Sequence, residues 1–426
     1  LCLLLPLQAQ AVGMTLEQAV AGAQRNDPWL TRSEMRQQSL EAESTAAATL
    51  PDPVVSIGLA NLPTDTFDFD QEAMTQLRLG VSQQFPRGDS RELLSRRLAQ
   101  LGAQHPLQRV DRQAQVAVTV AHLWLEAYRA QESIRLIEQD RQLFEHLVDV
   151  AQSSYASAHG RTSQQDLVRA QLELTLLEDR LTLLHQRLDT SRSGLAEWLQ
   201  GAGAADGWEV LPPIASTAPA LYPLQPELLM PGAPPSRQDI ARRLAQHPAL
   251  LSLDRRIAAG DTGVALAEQK YRPQWSLNAS YGYRDDDPLA GERADFFSLG
   301  VAFDLPLFTA RRQDHQVQSA VASTEALRSE KALLLRKLVA AFETARVRLL
   351  RLEQRRDLYQ SRLLREMHEQ AEASLSAYTS DNGDFAEVVR SRIAELNARI
   401  DALEIEIERL KVISQINYFF VTGGAA

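Results

Sequence analysis

The stretch LGVSQQFPRGDSR beginning at Leu79 returns as LGVAFDLPLFTARR beginning at Leu299. Leu79, Gly80, Val81, Pro86 and Arg91 recur as Leu299, Gly300, Val301, Pro306 and Arg311, all at an offset of 220. Pro28 and Pro248, Pro53 and Pro273, and Ser56 and Ser276 keep the same spacing. Further on the offset drifts to 221, where Asp166-Leu167-Val168-Arg169 meets Glu387-Val388-Val389-Arg390. A period this long is not a solenoid repeat. The chain is a duplicated half, so whatever it folds into must be built twice from one order of elements. Between the halves, residues 201–236 hold eight prolines (Pro212, Pro213, Pro219, Pro223, Pro226, Pro231, Pro234 and Pro235). Such a segment is extended and not helical, a linker or a surface-wrapping strap.

Each half reads alike. The first repeat, 12–200, begins with a helix from Thr15 to about Thr49, continues with alternating runs at 54–62 and 74–85, and ends in a long helix 87–157 and a helix 163–199. The second repeat, 237–420, gives a helix 237–271, strands 274–283 and 295–305, a long helix 307–379 and a helix 385–417, with 421–426 as a tail. A helix of roughly 70 residues is about 105 Å long, beyond what one globular core can shelter. Its neighbours are expected to be parallel helices in a bundle or coiled array. The pattern is a mixed α and β fold, mainly long α-helices, with a two-fold internal repeat in which each half supplies two β-strands plus a helical hairpin.

The strands alternate strictly. Leu77, Leu79, Val81 and Phe85 oppose Gln76, Arg78, Gly80, Ser82 and Gln84; Trp275, Leu277, Ala279, Tyr281 and Tyr283 oppose Ser276, Asn278, Ser280 and Gly282. Phe297, Leu299, Val301, Phe303 and Leu305 oppose Ser298, Gly300, Ala302 and Asp304. Period-two alternation marks a sheet with one apolar and one polar face. A soluble sheet could bury the apolar face under a helix. Strands of about ten residues, small polar partners and aromatics near the strand ends fit a membrane-spanning barrel instead. Four strands cannot close a barrel, and an open edge is forbidden in lipid, so a barrel would have to be shared between chains. The acidic loops 63–73 and 284–294 would face solvent outside it.

The rest of the chain narrows the function classes. No apolar run of ~18 or more residues follows the start, so no transmembrane helix is expected. LCLLLPLQAQA resembles the end of a secretory signal peptide, with 1–11 as a residual signal and cleavage after Ala11; the single cysteine, Cys2, falls inside it. A net charge of −10 gives no support to nucleic-acid binding. The eight histidines are scattered, the five methionines form no cluster suited to soft metals, and no metalloprotease, P-loop, C-x-x-C or nucleophile-elbow pattern occurs. The chain is therefore not expected to be an enzyme, to carry a cofactor or to hold a fixed metal.

Strand pair, long helix, tight break and return helix, done twice behind a signal-like segment, resemble the TolC family of outer-membrane efflux ducts over residues 14–420. LPDPVVSIGLANLP at 50–63 and MTQLRLGVSQQFP at 74–86 resemble its heavy-metal (Czc/Cus-type) branch most. The resemblance implies a homotrimer forming a 12-stranded transmembrane β-barrel and a periplasmic α-helical barrel. It implies location in the outer membrane of a Gram-negative bacterium, with the tunnel extending into the periplasm. The duct would pass substrates, heavy-metal cations in that branch, delivered by an inner-membrane RND pump and a periplasmic adaptor. Drug efflux and type I secretion are the alternatives within the family. Outside it, a periplasmic coiled-coil adaptor or scaffold is the alternative, though adaptors carry one helical hairpin where this chain has two.

The family's tunnel closes at its periplasmic tip, at helix turns resembling Y-x-x-G with an acid six residues on. Tyr378, Asp381 and Glu387 match in the second copy, with Asp381 in place of Gly and Gly383 nearby. Gly160 and Asp166 match in the first, where Tyr155 stands two residues too early. The resemblance implies that Glu387 joins a carboxylate ring around the closed pore, with Arg390 one turn on and able to pair with it; a solvated helix-face acid is the alternative. Pro86 and Pro306 are expected to end the strand ladder and to start the long helices in their first turn.

Overall fold

The computed structural model of the chain describes residues 13–156, 163–200, 210–230, 235–286, 291–380 and 383–423. The chain divides into two compact units: residues 1–30, 109–248 and 335–426 form a helical unit, and residues 31–108 and 249–334 a sheet unit. In chain order the first half gives α1 (Leu16–Asn26), α2 (Pro28–Ala47), β1 (Val54–Ala60), β2 (Gln76–Phe85), α3 (Ser90–Gly102), α4 (Gln104–Ala156) and α5 (Gln164–Leu199). The second half gives α6 (Arg237–Leu244), α7 (Pro248–Glu268), β3 (Trp275–Tyr283), β4 (Phe296–Phe303), α8 (Gln313–Leu358), α9 (Leu364–Thr379) and α10 (Phe385–Phe419).

Proline accounts for most of the differences from the expected helices. The segment 15–49 breaks at Asp27 (ψ 107°) because the residue before Pro28 is pushed out of helical geometry. The segment 237–271 breaks in the same way ahead of Pro248, between α6 and α7. The expected single helix 87–157 is two helices, α3 and α4, parted at Ala103. Pro106 lacks an N–H, and its ring crowds the carbonyl of Gly102 four residues back, which ends α3 there. The expected helix 307–379 starts only at Gln313 and carries a π-helical turn at Tyr359–Leu363 between α8 and α9.

In the sheet unit the strands form a four-stranded antiparallel meander in the order β1-β2-β3-β4. The two halves therefore join edge to edge through β2 and β3. The register stacks the apolar residues into cross-strand rows: Val55–Val81–Ala279–Leu299, Ile57–Leu79–Tyr281–Phe297, and Phe85–Trp275–Phe303. The other face carries the row Ser56–Gly80–Ser280–Ser298. Because the side-chain period is two, a slip of one residue at any pairing would mix these faces. Beside the sheet, α7 and α8 approach closely at Gly260, where a Cβ would lie 2.8 Å from the Thr324 hydroxyl.

The helical unit has its apolar residues inside. One core gathers Trp124, Leu125, Val120, Leu195, Leu199, Ile407 and Leu410. The described part of the proline-rich segment, 210–230, is packed against it. Met14 and Ile214 form a parallel bridge, Leu211 and Ile214 are buried, and Trp124 donates its indole N–H to the Met14 carbonyl at 2.9 Å. A second core, further along the hairpins, joins Ile137, Phe144 and Leu147 of α4 to Leu177 and Leu181 of α5 and Val388, Leu396 and Ile400 of α10.

Candidate functional site

Two places hold the residues that the sequence singles out. The first is the junction below the sheet. β2 ends at Phe85, immediately before Pro86, while α3 begins only at Ser90. Gly88 makes the turn between them with a φ of +41°, a left-handed value that glycine adopts without strain. Around that turn Arg87 donates to the Arg272 carbonyl at 2.8 Å and pairs with Asp304, and Arg272 donates to Asp89 at 3.1 Å. Asp304 also accepts the backbone N–H of Gln274 at 2.6 Å. This polar lock ties together positions up to 217 apart in sequence, and no local motif announces it.

Pro306 behaves differently. The Leu307 N–H bonds back to the Leu305 carbonyl at 2.9 Å, a γ-turn whose centre suits proline's fixed φ. Neither proline opens a helix, which corrects the expectation that each begins one in its first turn. Both act on the strand side of the joint.

The apolar rows of the sheet are open. Ile57 is 74%, Phe297 72%, Leu299 66% and Val301 61% exposed. Among the described residues no layer of this chain covers them. A contiguous apolar face of this kind marks a membrane or a partner surface. Above it, Arg284 stacks on Phe296 at 3.9 Å and donates to the Ala73 carbonyl, while Arg293 donates to the Asp70 carbonyl; the two loops are thus bound to each other. No helix among the described residues is long and apolar enough to cross a membrane.

The second place is the α9–α10 turn. Tyr378 and Phe385 meet edge to face at 5.6 Å, with Phe385 buried in the second core. A Cβ on Gly383 would lie 2.5 Å from the Tyr378 nitrogen, so the backbone crossing there requires glycine. Asp384 caps α10 by accepting the Ala386 N–H at 3.1 Å. One turn on, Glu387 and Arg390 form an ion pair on the exposed side of α10, opposite the buried Val388 and Val389. Gly160 and Asp381 lie outside the described residues. Asp166 is the acid of a capping box: it accepts the Ser163 N–H at 2.9 Å and the Ser163 hydroxyl at 2.7 Å, and its own N–H bonds back to that hydroxyl. That S-x-x-D pattern was legible in the sequence as a helix start.

Further along the same hairpin sits a cluster that sequence reading missed. Arg392 is 11% exposed and donates to Glu372 at 2.6 Å and to Glu395 at 2.9 Å. Glu395 in turn meets His368 Nδ1 at 2.7 Å. The Arg392 hydrogen bond holds the Glu372 carboxyl below the ordinary carboxylate range. These residues join α9 to α10. His368 and Glu372 are one turn apart on α9, but their partners come from α10, so spacing alone gave no signal. Among the described residues no three His, Cys, Asp or Glu side chains gather into a set that could hold a metal ion.

No protein-family model and no curated protein matches the sequence. Solved structures do match in three dimensions. CusC, described as forming a transmembrane channel, superposes with a TM-score of 0.77 at 15% identity, covering 100% of this chain and 96% of that one. The outer-membrane protein VceC of Vibrio cholerae gives 0.74 at 15% identity, with 95% and 96% covered. The outer-membrane channel CmeC of Campylobacter jejuni gives 0.75 at 13% identity, with 95% and 85% covered. The chain thus shares the fold of these proteins, the TolC-type fold, over nearly its whole length, and CusC and CmeC among them are described as channels.

Proposed function

We propose that this protein is the outer-membrane duct of a tripartite efflux system. The observation that carries the proposal is a sheet whose apolar face is exposed along all four strands and whose two edge strands, β1 and β4, are each paired on one side only among the described residues. In lipid every backbone N–H and C=O must be paired, so such a sheet has to close against further copies. Three copies of four strands give a twelve-stranded barrel, with the small residues of the Ser56–Gly80–Ser280–Ser298 row toward the water-filled inside. The helical hairpins are assigned to the periplasmic part of the duct, where an adaptor and an inner-membrane RND pump deliver the cargo. The fold of CusC, VceC and CmeC supports this reading.

Within it, heavy-metal cations are the proposed cargo, on the resemblance of residues 50–63 and 74–86 to the metal branch. Selection is assigned to the pump; the duct is a passive exit. Tyr378, Glu387 and Arg390 are the proposed gate residues, with the Gly383 turn fixing where α10 begins. Three Glu387–Arg390 pairs around a narrow axis have nearly no net charge, so the gate would be a weaker cation trap than a ring of free carboxylates.

Membrane extraction and planar-bilayer recording test the proposal together. The protein is expected to need detergent for release and then to form ohmic pores. Release by salt alone would overturn the duct and favour the adaptor reading. Glu387→Ala is expected to leave unpaired Arg390 cations at the tip and to shift selectivity toward anions. Unchanged conductance and selectivity would remove Glu387 and Arg390 from the gate.

A further inference from the structure

The polar lock at Gly88 has a counterpart position that is chemically inverted. Adding 220 to the residues of the first joint gives Leu307 for Arg87, Phe308 for Gly88 and Thr309 for Asp89. Subtracting 220 from the segment the first joint grips gives Thr49 for Gln269, Leu50 for Lys270 and Asp52 for Arg272. Within the chain the joint after β2 sits on the segment leading into β3, because β2 and β3 are paired. The joint after β4 has no such seat: Leu307 is 72% and Phe308 90% exposed. The segment leading into β1 is exposed too, with the Pro51 carbonyl accepting from the Gln83 side chain at 2.8 Å. Thr49 and Asp52 are exposed and Leu50 is 41% exposed.

The sizes of the side chains are complementary. At the first joint Gly88 has a φ of +41°, and a Cβ there would come within 2.5 Å of the ends of the Arg272 and Gln269 side chains, so glycine lets those long residues close over the turn. At the counterpart both long side chains are replaced by short ones, Asp52 and Thr49, and the glycine by phenylalanine. Phe308 has a φ of −112°, on the negative side, so its side chain avoids the left-handed region that favours glycine. The charged contacts are exchanged as well. Arg87 on the Lys270 and Arg272 carbonyls becomes Leu307 opposite Leu50, and the Arg272–Asp89 ion pair becomes Asp52 opposite the Thr309 hydroxyl.

We infer that Phe308 is the knob of a copy-to-copy joint, seated between Thr49 and Asp52 of a second copy of this chain. The inference rests on the shared barrel proposed above, and it assigns β4 to pair with β1 of the neighbour in the register of β2 with β3. That register sets Phe303 opposite Ile57 and Val301 opposite Leu59, and it keeps apolar side chains on one face throughout. The occupant is a second copy and not lipid, because only a copy supplies the shortened residues that match the enlarged one. Each half of the chain thus has its own joint, one locked by charge pairs within the chain and one filled by an aromatic side chain between chains.

The test is cross-linking of the full chain in membranes, with Cys2→Ser as background. Phe308→Cys with Thr49→Cys, treated with a short bismaleimide, is expected to give covalent two-chain and three-chain species, which neither single variant gives. Ala302→Cys with Gly58→Cys reports the β4–β1 seam separately. If the seam cross-links and Phe308 does not, reacting instead with a lipid-phase label, the joint is overturned while the shared barrel stands. If neither pair cross-links and the detergent-extracted protein has the mass of one chain, the shared barrel itself is overturned. Phe308→Glu gives an independent readout. Since the side chain is 90% exposed in the single chain, helix and strand content is expected to persist. The assembled fraction is expected to fall about ten-fold or more at fixed detergent. An unchanged fraction would overturn the joint.

Discussion

The sheet and the helical hairpins use the same residue types in opposite directions. In the hairpins Val388 and Ile137 are fully buried and Glu387 and Arg390 point outward. In the sheet Ile57, Leu299 and Val301 point outward, while serines and glycines line the other face. Each region is internally consistent, so neither is a defect of the other. The difference lies in the solvent each is built for: water favours the helices' charged outside, and only lipid or a partner favours the sheet's apolar outside.

The sharpest way to break this comparison is to place a charge on the buried side of the hairpins. Val388→Asp puts an unpaired carboxylate into a fully buried site and is expected to cost more than about 4 kcal/mol, enough to unfold the hairpin tip. Limited proteolysis between α9 and α10 would check it; resistance equal to that of the parent chain would mean that this core is not what holds the tip. The corresponding change in the sheet, Leu299→Arg, has an outcome that depends on its surroundings. If lipid covers the residue, urea unfolding in vesicles is expected to show a loss of about 2–4 kcal/mol. A change within about 0.5 kcal/mol would mean that water covers it.

A smaller effect sharpens the helical side of the comparison by pH. His122 on α4 is half-buried and bonds to the Lys411 carbonyl at 3.2 Å, with the Lys411, Glu408 and Glu126 side chains around it. Burial holds its pKa below the ordinary imidazole value. Above about pH 6.5 neither the folded nor the unfolded chain carries the proton. As pH falls below that value the unfolded chain takes it up first, so stability declines down to the folded pKa and then levels off. Urea midpoints of the helical unit are expected to drop modestly between pH 7.5 and 5.5, and His122→Gln to reduce that drop, buried His247 acting in the same direction.

Much of this was legible in the residues because it rests on local periodicity. The alternation in β2, β3 and β4 fixed which side chains share a face, and the 220-residue offset fixed that the elements come twice. Helix existence followed from the long amphipathic runs. The breaks at Asp27 and ahead of Pro248 were also written there, since a residue before proline avoids helical geometry. Asp166 served two patterns at once, an alignment to a gate acid and an S-x-x-D cap, and of these the structure displays the cap contacts.

What the sequence determined by itself is the repeat, the faces of the strands and the absence of a long apolar helix. Those are properties of neighbours along the chain, where covalent geometry sets the spacing. Only the tertiary structure decided that β2 pairs with β3, that Arg87 closes on Asp304 across 217 residues, and that Arg392 links α9 to α10. Such contacts depend on which distant surfaces fold together, and no local pattern encodes a partner that far away. The same holds for the exposure of Phe308: the sequence places an aromatic after the strand, and only the folded chain leaves it without a seat.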